Sequence, residues 1–225
     1  MSGISIAIDG PSGAGKSTLA RLLAQKLGYL YVDTGAIYRT LGLYALRRGV
    51  DPADAGAVIA LLDSADIDLR YEADGLQHMY LNGEDVTGEI RRPEVSMSAS
   101  RVSAIPQVRA FLMEMQRELA RRQDVIMDGR DIGTVVLPQA DVKIFLTASP
   151  EDRARRRCDE LCQRGMQAEY EDVLRDIRVR DANDSGRAAA PLRQAEDAVR
   201  LDTTGNTLEQ SFALLLRTIE ERLKP

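Results

Sequence analysis

The chain has 225 residues and a mass of 24.8 kDa, 44% of it hydrophobic and 29% charged. That is the make-up of one ordinary globular domain with room for an insertion, and it excludes a disordered chain, a collagen-like fibre and a disulfide-knit miniprotein. A net charge of −5 and a pI near 5.1 argue against a duplex-binding protein, which needs a basic surface excess.

No run approaches 18 consecutive apolar residues, so no membrane association is expected. The stretch Met1 to Gly10 holds an acidic residue and no basic segment, unlike a secretory leader. Two cysteines, Cys158 and Cys162, suit a reducing compartment, and a cytoplasmic location is expected. The basic residues are unusual in kind: Lys occurs only at 16, 26, 143 and 224, and the others are Arg, which contacts phosphates and carboxylates with two prongs.

In chain order, Ile4 to Ile8 reads as a short apolar strand. A glycine-rich turn follows, then a helix from Lys16 to Leu27 with Leu19, Leu22, Leu23 and Leu27 on one face and Gly28 as its stop. Tyr29 to Val32 is a second strand, and strand, helix, strand with short joints predicts a parallel sheet with helices on its faces. Residues 67–86 differ: Ile67 to Tyr71 and Leu76 to Leu81 are bounded by Asp74-Gly75 and Asn82-Gly83, both hairpin signals, which predicts a small antiparallel lobe inserted into the parallel fold. Further strands are expected at Val125–Met127, Val142–Leu146 and Val199–Leu201, with helices over 107–122, 151–164, 169–182 and 207–222. Ser185 to Ala190 is the most loop-like run of the C-terminal half.

The chemistry begins at Gly10-Pro11-Ser12-Gly13-Ala14-Gly15-Lys16-Ser17, which fits G-x-x-x-x-G-K-[ST] and stands between a strand and an amphipathic helix. Its glycines let successive N–H groups turn inward onto phosphate oxygens, and the helix N-terminus adds partial positive charge. Lys16 would reach the β- and γ-phosphates, Ser17 would ligate Mg²⁺, and Thr18 closes the candidate ATP-binding run. A GTPase would need a guanine-reading Asn-Lys-x-Asp, which is absent; Asp85 to Gly88 and Asp202 to Gly205 only mimic its loose Asp-x-x-Gly. Small size, abundant Arg and an inserted lobe point to a kinase with a small acceptor.

A second constellation is Val125-Ile126-Met127-Asp128-Gly129-Arg130-Asp131. Asp128 ends an apolar strand and suits a place near Mg²⁺ or its waters, while Arg130 and Asp131 fall at the C-terminal edge of the sheet, where such folds bind ligands. A third is the arginine run, Arg153, Arg155, Arg156 and Arg157 on one helix, followed by Arg178, Arg180 and Arg187 with Asp181 and Asp184 between them. Phosphoryl transfer needs positioned cations, although a solvated basic face accounts equally for any single member.

On these strings the sequence resembles the bacterial cytidylate kinases over nearly its whole length. The resemblance is carried by Ile8 to Lys16, Asp33-Thr34-Gly35-Ala36-Ile37-Tyr38-Arg39, Gly83 to Thr87, Asp128-Gly129-Arg130-Asp131-Ile132-Gly133-Thr134 and Arg187 to Leu192. It implies an α/β fold: a P-loop core with a parallel five-stranded sheet (about 1–40, 100–150 and 190–225), a monophosphate-binding lobe (about 41–99) and a helical lid (about 151–189). It implies ATP and Mg²⁺ as cofactors, CMP or dCMP as acceptor, no nucleic-acid partner and action as a monomer. Thr34, Ser100, Arg109 and Asp131 match positions that hold cytosine and its surroundings; Arg39, Arg130 and Arg187 match those that hold the acceptor phosphate. Arg180 and Asp184 match those at the pentose. Arg153 to Arg157 fall where lid arginines act, and Arg153 and Arg157 are expected, beside Lys16 and Arg130, in catalysis. Position 34 is Thr where some relatives have Ser, and 182–186 is less basic than in relatives.

His78 is expected to be a surface or packing residue, and Cys158 with Cys162 lacks further ligands for zinc. Two alternatives remain: a small P-loop kinase with an alcohol acceptor, in which Asp33 or Asp128 would be the base, and a nucleotide-binding module without turnover.

Overall fold

The computed structural model describes residues 3–163 and 165–224. Its strands are β1 (Ser5–Asp9), β2 (Leu30–Asp33), β3 (Ile67–Tyr71), β4 (Gln77–Leu81), β5 (Glu84–Asp85), β6 (Val125–Gly129), β7 (Val142–Thr147) and β8 (Val199–Asp202). Its α-helices are α1 (Lys16–Leu27), α2 (Thr34–Arg47), α3 (Ala55–Leu61), α4 (Pro93–Val102), α5 (Pro106–Arg122), α6 (Pro150–Gln163), α7 (Tyr170–Gly186) and α8 (Leu208–Leu223). The chain forms two compact units, Met1–Tyr31 with Arg122–Pro225, and Val32–Arg121. Among the described residues no helix is long and apolar enough to cross a membrane.

The first unit is built on a five-stranded sheet of order β2-β6-β1-β7-β8, in which β1 runs parallel to β6 and β7, and β7 to β8. Ile6, Ala7 and Ile8 are each fully buried, as in a parallel strand covered on both faces; this is why β1 reads as an unbroken apolar run. Leu19 and Leu23 of α1 pack with Leu215 and Ile219 of α8 against Ile6, Ile8, Ile126 and Ile144. Each such side chain contributes roughly 2 kcal/mol on burial. Gly28 stops α1 at φ 71°, its N–H bonding Ala24 O.

The second unit pairs β3, β4 and β5 antiparallel, with Asn82-Gly83 turning the chain between β4 and β5. Its core joins Met79 and Leu81 to Ile37 and Leu41 of α2, Val95 and Val102 of α4 and Leu112 of α5. The unit extends from Val32 to Arg121 because α2 and α5 bury their faces in this core.

Three helices, α2, α3 and α4, are absent from the sequence reading. α2 is buried at ten of its fourteen positions, so it has no polar stripe to give a 3.6-residue period. Its Gly42 permits the approach of α4: a Cβ there would stand 2.9 Å from Ala99 N. α7 also runs on through Ser185 and Gly186, so the expected loop starts only at Arg187. The cause is tertiary, since buried Asp184 holds the last turn against two arginines. A π-helical turn over Ile132–Val136 was likewise unforeseen.

Candidate active site

In the first unit, the loop after β1 is shaped by glycine. A Cβ on Gly10, at φ 151°, would fall 1.9 Å from Leu146 O, so no other residue fits. Gly15 caps α1 at φ 85°, in the left-handed region. Lys16 begins α1, is 5% exposed, and its Nζ donates to Pro11 O at 2.8 Å. Burial, and then the nearby Arg130 guanidinium, lower its pKa to about 7. The lysine thus waits inside the loop on a backbone carbonyl.

Asp128, next to the last residue of β6, accepts from Ser17 Oγ at 2.8 Å and Tyr31 OH at 2.9 Å. A hydroxyl and a carboxylate side by side are hard oxygen donors of the kind Mg²⁺ takes. Among the described residues no cluster of three acidic, His or Cys side chains stands ready to cage a metal. The donor set therefore fits an ion that keeps waters and phosphate oxygens as its other ligands. Asp9 accepts from the Ile132 and Gly133 N–H groups at 2.7 Å each, and so caps the π-helical turn. Burial pushes its pKa up to about 7. Asp131, which opens that turn, is 4% exposed.

Two buried aspartates each gather two arginines. In the first unit, Asp184 accepts from Arg130 Nε at 2.8 Å and Arg187 Nη2 at 2.5 Å. Burial opposes its ionisation, but Arg130 and Arg187 outweigh that and hold its pKa below the usual range. Arg180 lies half-buried on the same helix, α7. In the second unit, Asp33 caps α2 through Ala36 N at 2.9 Å and accepts from Arg39 at 2.6 Å and Arg91 at 3.0 Å. Its pKa, too, is lowered: burial raises it, but Arg39 and Arg91 prevail. Sequence reasoning missed Arg91, which no local pattern marks; only the fold carries it from the segment after β5 to Asp33.

The other expected residues of the second unit are Thr34, buried as the first residue of α2, Ser100, half-buried on α4, and Arg109, buried on α5. The Arg109 guanidinium lies 5.6 Å from the Tyr38 ring centroid.

The lid arginines diverge. Arg153 is 2% exposed and donates to Ser12 O and Ala148 O, each at 2.9 Å, and to both oxygens of Asp181 at 3.0 and 2.5 Å. In this structure it braces the phosphate loop. Arg157, one turn on, pairs with Glu160 at 2.8 Å. Arg156, another member of the arginine run, donates to Thr203 O at 2.6 Å. A cavity of about 350 Å³ beside the loop is lined by Pro11, Phe145, Arg153, Asp181, Leu192 and Asp202 among others, and by neither Lys16 nor Ser17. His78 bridges Asp74 at 3.0 Å and Asp85 at 3.1 Å in the hairpin. Cys158 and Cys162 are free thiols.

A sequence model of the family described as Cytidylate kinase matches residues 6–221. The chain belongs to the cytidylate kinase family. A relative described as a cytidylate kinase, from Caldicellulosiruptor bescii, is 51% identical over 224 residues, covering 100% of this chain and 99% of its own. Another so described, from Lactobacillus johnsonii, is 48% identical over 219 residues, covering 97% and 95%. Among solved structures, an uncharacterized protein from Eubacterium ventriosum shares the fold with a TM-score of 0.52 at 12% identity, over 97% of this chain and 98% of that one.

Proposed function

We propose that the chain transfers the γ-phosphate of ATP to CMP or dCMP, giving CDP or dCDP and ADP, in the cytoplasm and as a monomer. The observation that carries this reading is the match, over the whole chain, to relatives described as cytidylate kinases. The site chemistry supports it. The acceptor is itself a phosphate anion, so an oxygen of CMP attacks the γ-phosphorus without a strong base, and the β–γ bridging oxygen leaves with its electron pair on ADP. The protein's task is positioning and charge neutralisation.

In this reading Gly10 to Thr18 cradle the ATP phosphates, and Lys16 neutralises charge on the transferring group. Mg²⁺, held by Ser17 with Asp128 at its waters, supplies further neutralisation when bound. Arg39, Arg130 and Arg187 take the acceptor phosphate; Arg180 and Asp184 take the pentose; Arg153 and Arg157 act from the lid at 151–189, and the lobe at 41–99 carries the acceptor. Thr34, Ser100, Arg109 and Asp131 read cytosine. A carboxylate at Asp131 accepts from the exocyclic amino group, and the Arg109 guanidinium donates to the ring acceptors. Uracil would turn an oxygen toward that carboxylate and be rejected.

An alcohol acceptor would need a free base. Asp33 is held by two arginines and a backbone N–H and its pKa is lowered, which argues against it as that base, and both Asp128 oxygens accept from hydroxyls in this structure. The test is ADP release from ATP and Mg²⁺ with and without CMP. Release should require CMP or dCMP and be weak with UMP or AMP; equal rates with UMP, or none with CMP, overturn the reading.

A further inference from the structure

The strand β4 alternates, with Gln77, Met79 and Leu81 on one face and His78 and Tyr80 on the other. Met79 and Leu81 are buried in the core of the second unit. The next position on that buried face should be apolar, yet it is Gln77. Its amide closes a two-way clamp on the backbone of one residue: Oε1 accepts from Asp33 N at 2.7 Å, and Nε2 donates to Asp33 O at 3.1 Å. No other residue type of that length supplies both an acceptor and a donor. Asp33 is the aspartate whose carboxylate caps α2 and accepts from Arg39 and Arg91.

We propose that Gln77 is a positioning residue for the acceptor phosphate, and that this is one task of the inserted hairpin. The proposal rests on the kinase reading above. Gln77 fixes the peptide groups of Asp33; the Asp33 carboxylate then fixes where the two guanidinium groups wait. A guanidinium has five N–H donors, so one bond to Asp33 orients it and leaves others to receive an anion. Arg39 and Arg91 reach Asp33 from α2 and from the segment after β5, so a shift of the Asp33 backbone moves both. Gly35 leaves the room this needs: a Cβ there would stand 3.1 Å from both Arg39 Nη1 and Asp33 Oδ1. The effect belongs on acceptor binding and not on ATP.

The experiment compares wild type, Gln77→Met, Gln77→Glu and His78→Ala. Gln77→Met keeps length and removes both bonds; Gln77→Glu keeps the acceptor and loses the donor. His78→Ala removes the two ion pairs on the other face of β4, so it weakens the hairpin without touching Asp33. Steady-state kinetics are read with calorimetric CMP binding and thermal melts. Gln77→Met should raise the KM and Kd for CMP about tenfold, with the KM for ATP unchanged. Gln77→Glu should fall between Gln77→Met and wild type, and His78→Ala should lower Tm with CMP affinity intact. The proposal is overturned if Gln77→Met leaves CMP affinity within twofold of wild type, if both substrates weaken together, or if His78→Ala weakens CMP as much. Failure of the kinase reading looks different: wild type itself would show no CMP-dependent ADP release.

Discussion

The phosphate loop and the arginine clamps wait for anions in different ways. The phosphate loop parks its lysine on a backbone carbonyl, with the neighbouring Ser12 carbonyl held by Arg153. The Arg39, Arg91, Arg130 and Arg187 guanidiniums are parked instead on carboxylates, Asp33 in one unit and Asp184 in the other. A carbonyl is a weak placeholder that burial makes weaker still for a cation, so Lys16 is poised to take up charge with its ligand. A carboxylate is a strong placeholder; it holds the arginines aimed, at a stability cost if either partner is lost. The difference separates a residue that works on the reacting phosphate from residues that hold a substrate still.

Lys16→Ala breaks the first half of that comparison and should have the largest effect. We expect kcat to fall by about 10²–10³-fold, because the lost charge acts on the transition state, with calorimetric CMP affinity nearly unchanged. Near-normal kcat would show that the loop's lysine is not the group that meets the transferring phosphate.

The same contrast explains what the sequence could reveal. The loop is local: Gly10 to Ser17 lie within one turn between β1 and α1, and their spacing alone dictates the shape, so motif and flanking elements were legible together. β1 and α1 were legible because one is a doubly covered strand and the other an amphipathic helix. The carboxylate clamps are long-range. Asp33 and Arg91 are joined across a hairpin, and Arg130 and Asp184 across the whole of α6, so no spacing in the sequence announces them. Resemblance to relatives supplied Arg39, Arg130, Asp184 and Arg187 as individual residues, but not the pairing, and it did not supply Arg91 or Gln77. α2 was hidden for a related reason: a helix buried at ten of fourteen positions has little of the polar face that periodicity detects.

Asp184→Asn breaks the second half. It keeps shape and removes the negative charge shared by Arg130 and Arg187. Two guanidiniums would then face each other with one neutral amide, and we expect a loss of about 2–3 kcal/mol in denaturant unfolding, discounted because Arg130 is partly exposed. The KM for CMP should rise and the KM for ATP should not. Asp33→Asn should act alike through Arg39 and, more weakly, through the half-exposed Arg91.

Protonation sharpens the comparison further. With its pKa lowered to about 7, Lys16 is largely neutral at pH 8 in the free protein. Triphosphate oxygens favour the charged form and raise the pKa on binding, so ATP should bind with uptake of up to one proton at pH 8 and less at pH 6, where the lysine already carries it. The sign for stability agrees: the unfolded chain holds this proton up to the ordinary lysine range, the native chain releases it above about 7, and this group therefore adds stability as pH rises from 7 toward 10. Calorimetry in buffers of different ionisation enthalpy measures the uptake. CMP, meeting arginines that stay charged, should show none from this source, and equal uptake for both nucleotides would erase the distinction between the two kinds of placeholder.

The smallest effect is expected within α6, where Arg153 and Arg157 share a face. Arg153 donates from all three of its nitrogens, to Ser12 O, Ala148 O and Asp181, and is buried. Arg157 pairs with Glu160 at a site about one-third exposed. Arg157→Ala should therefore shift stability by no more than about 0.5 kcal/mol. Any loss of kcat it shows then measures catalysis directly, free of a folding defect. Arg153→Ala cannot be read so simply: it should loosen the Ser12 carbonyl and α7 together, lowering Tm and raising the KM for ATP. If Arg157→Ala leaves both kcat and Tm at wild-type values, Arg157 is a solvated surface cation, and the charge supplied from α6 comes from the residues that touch the loop.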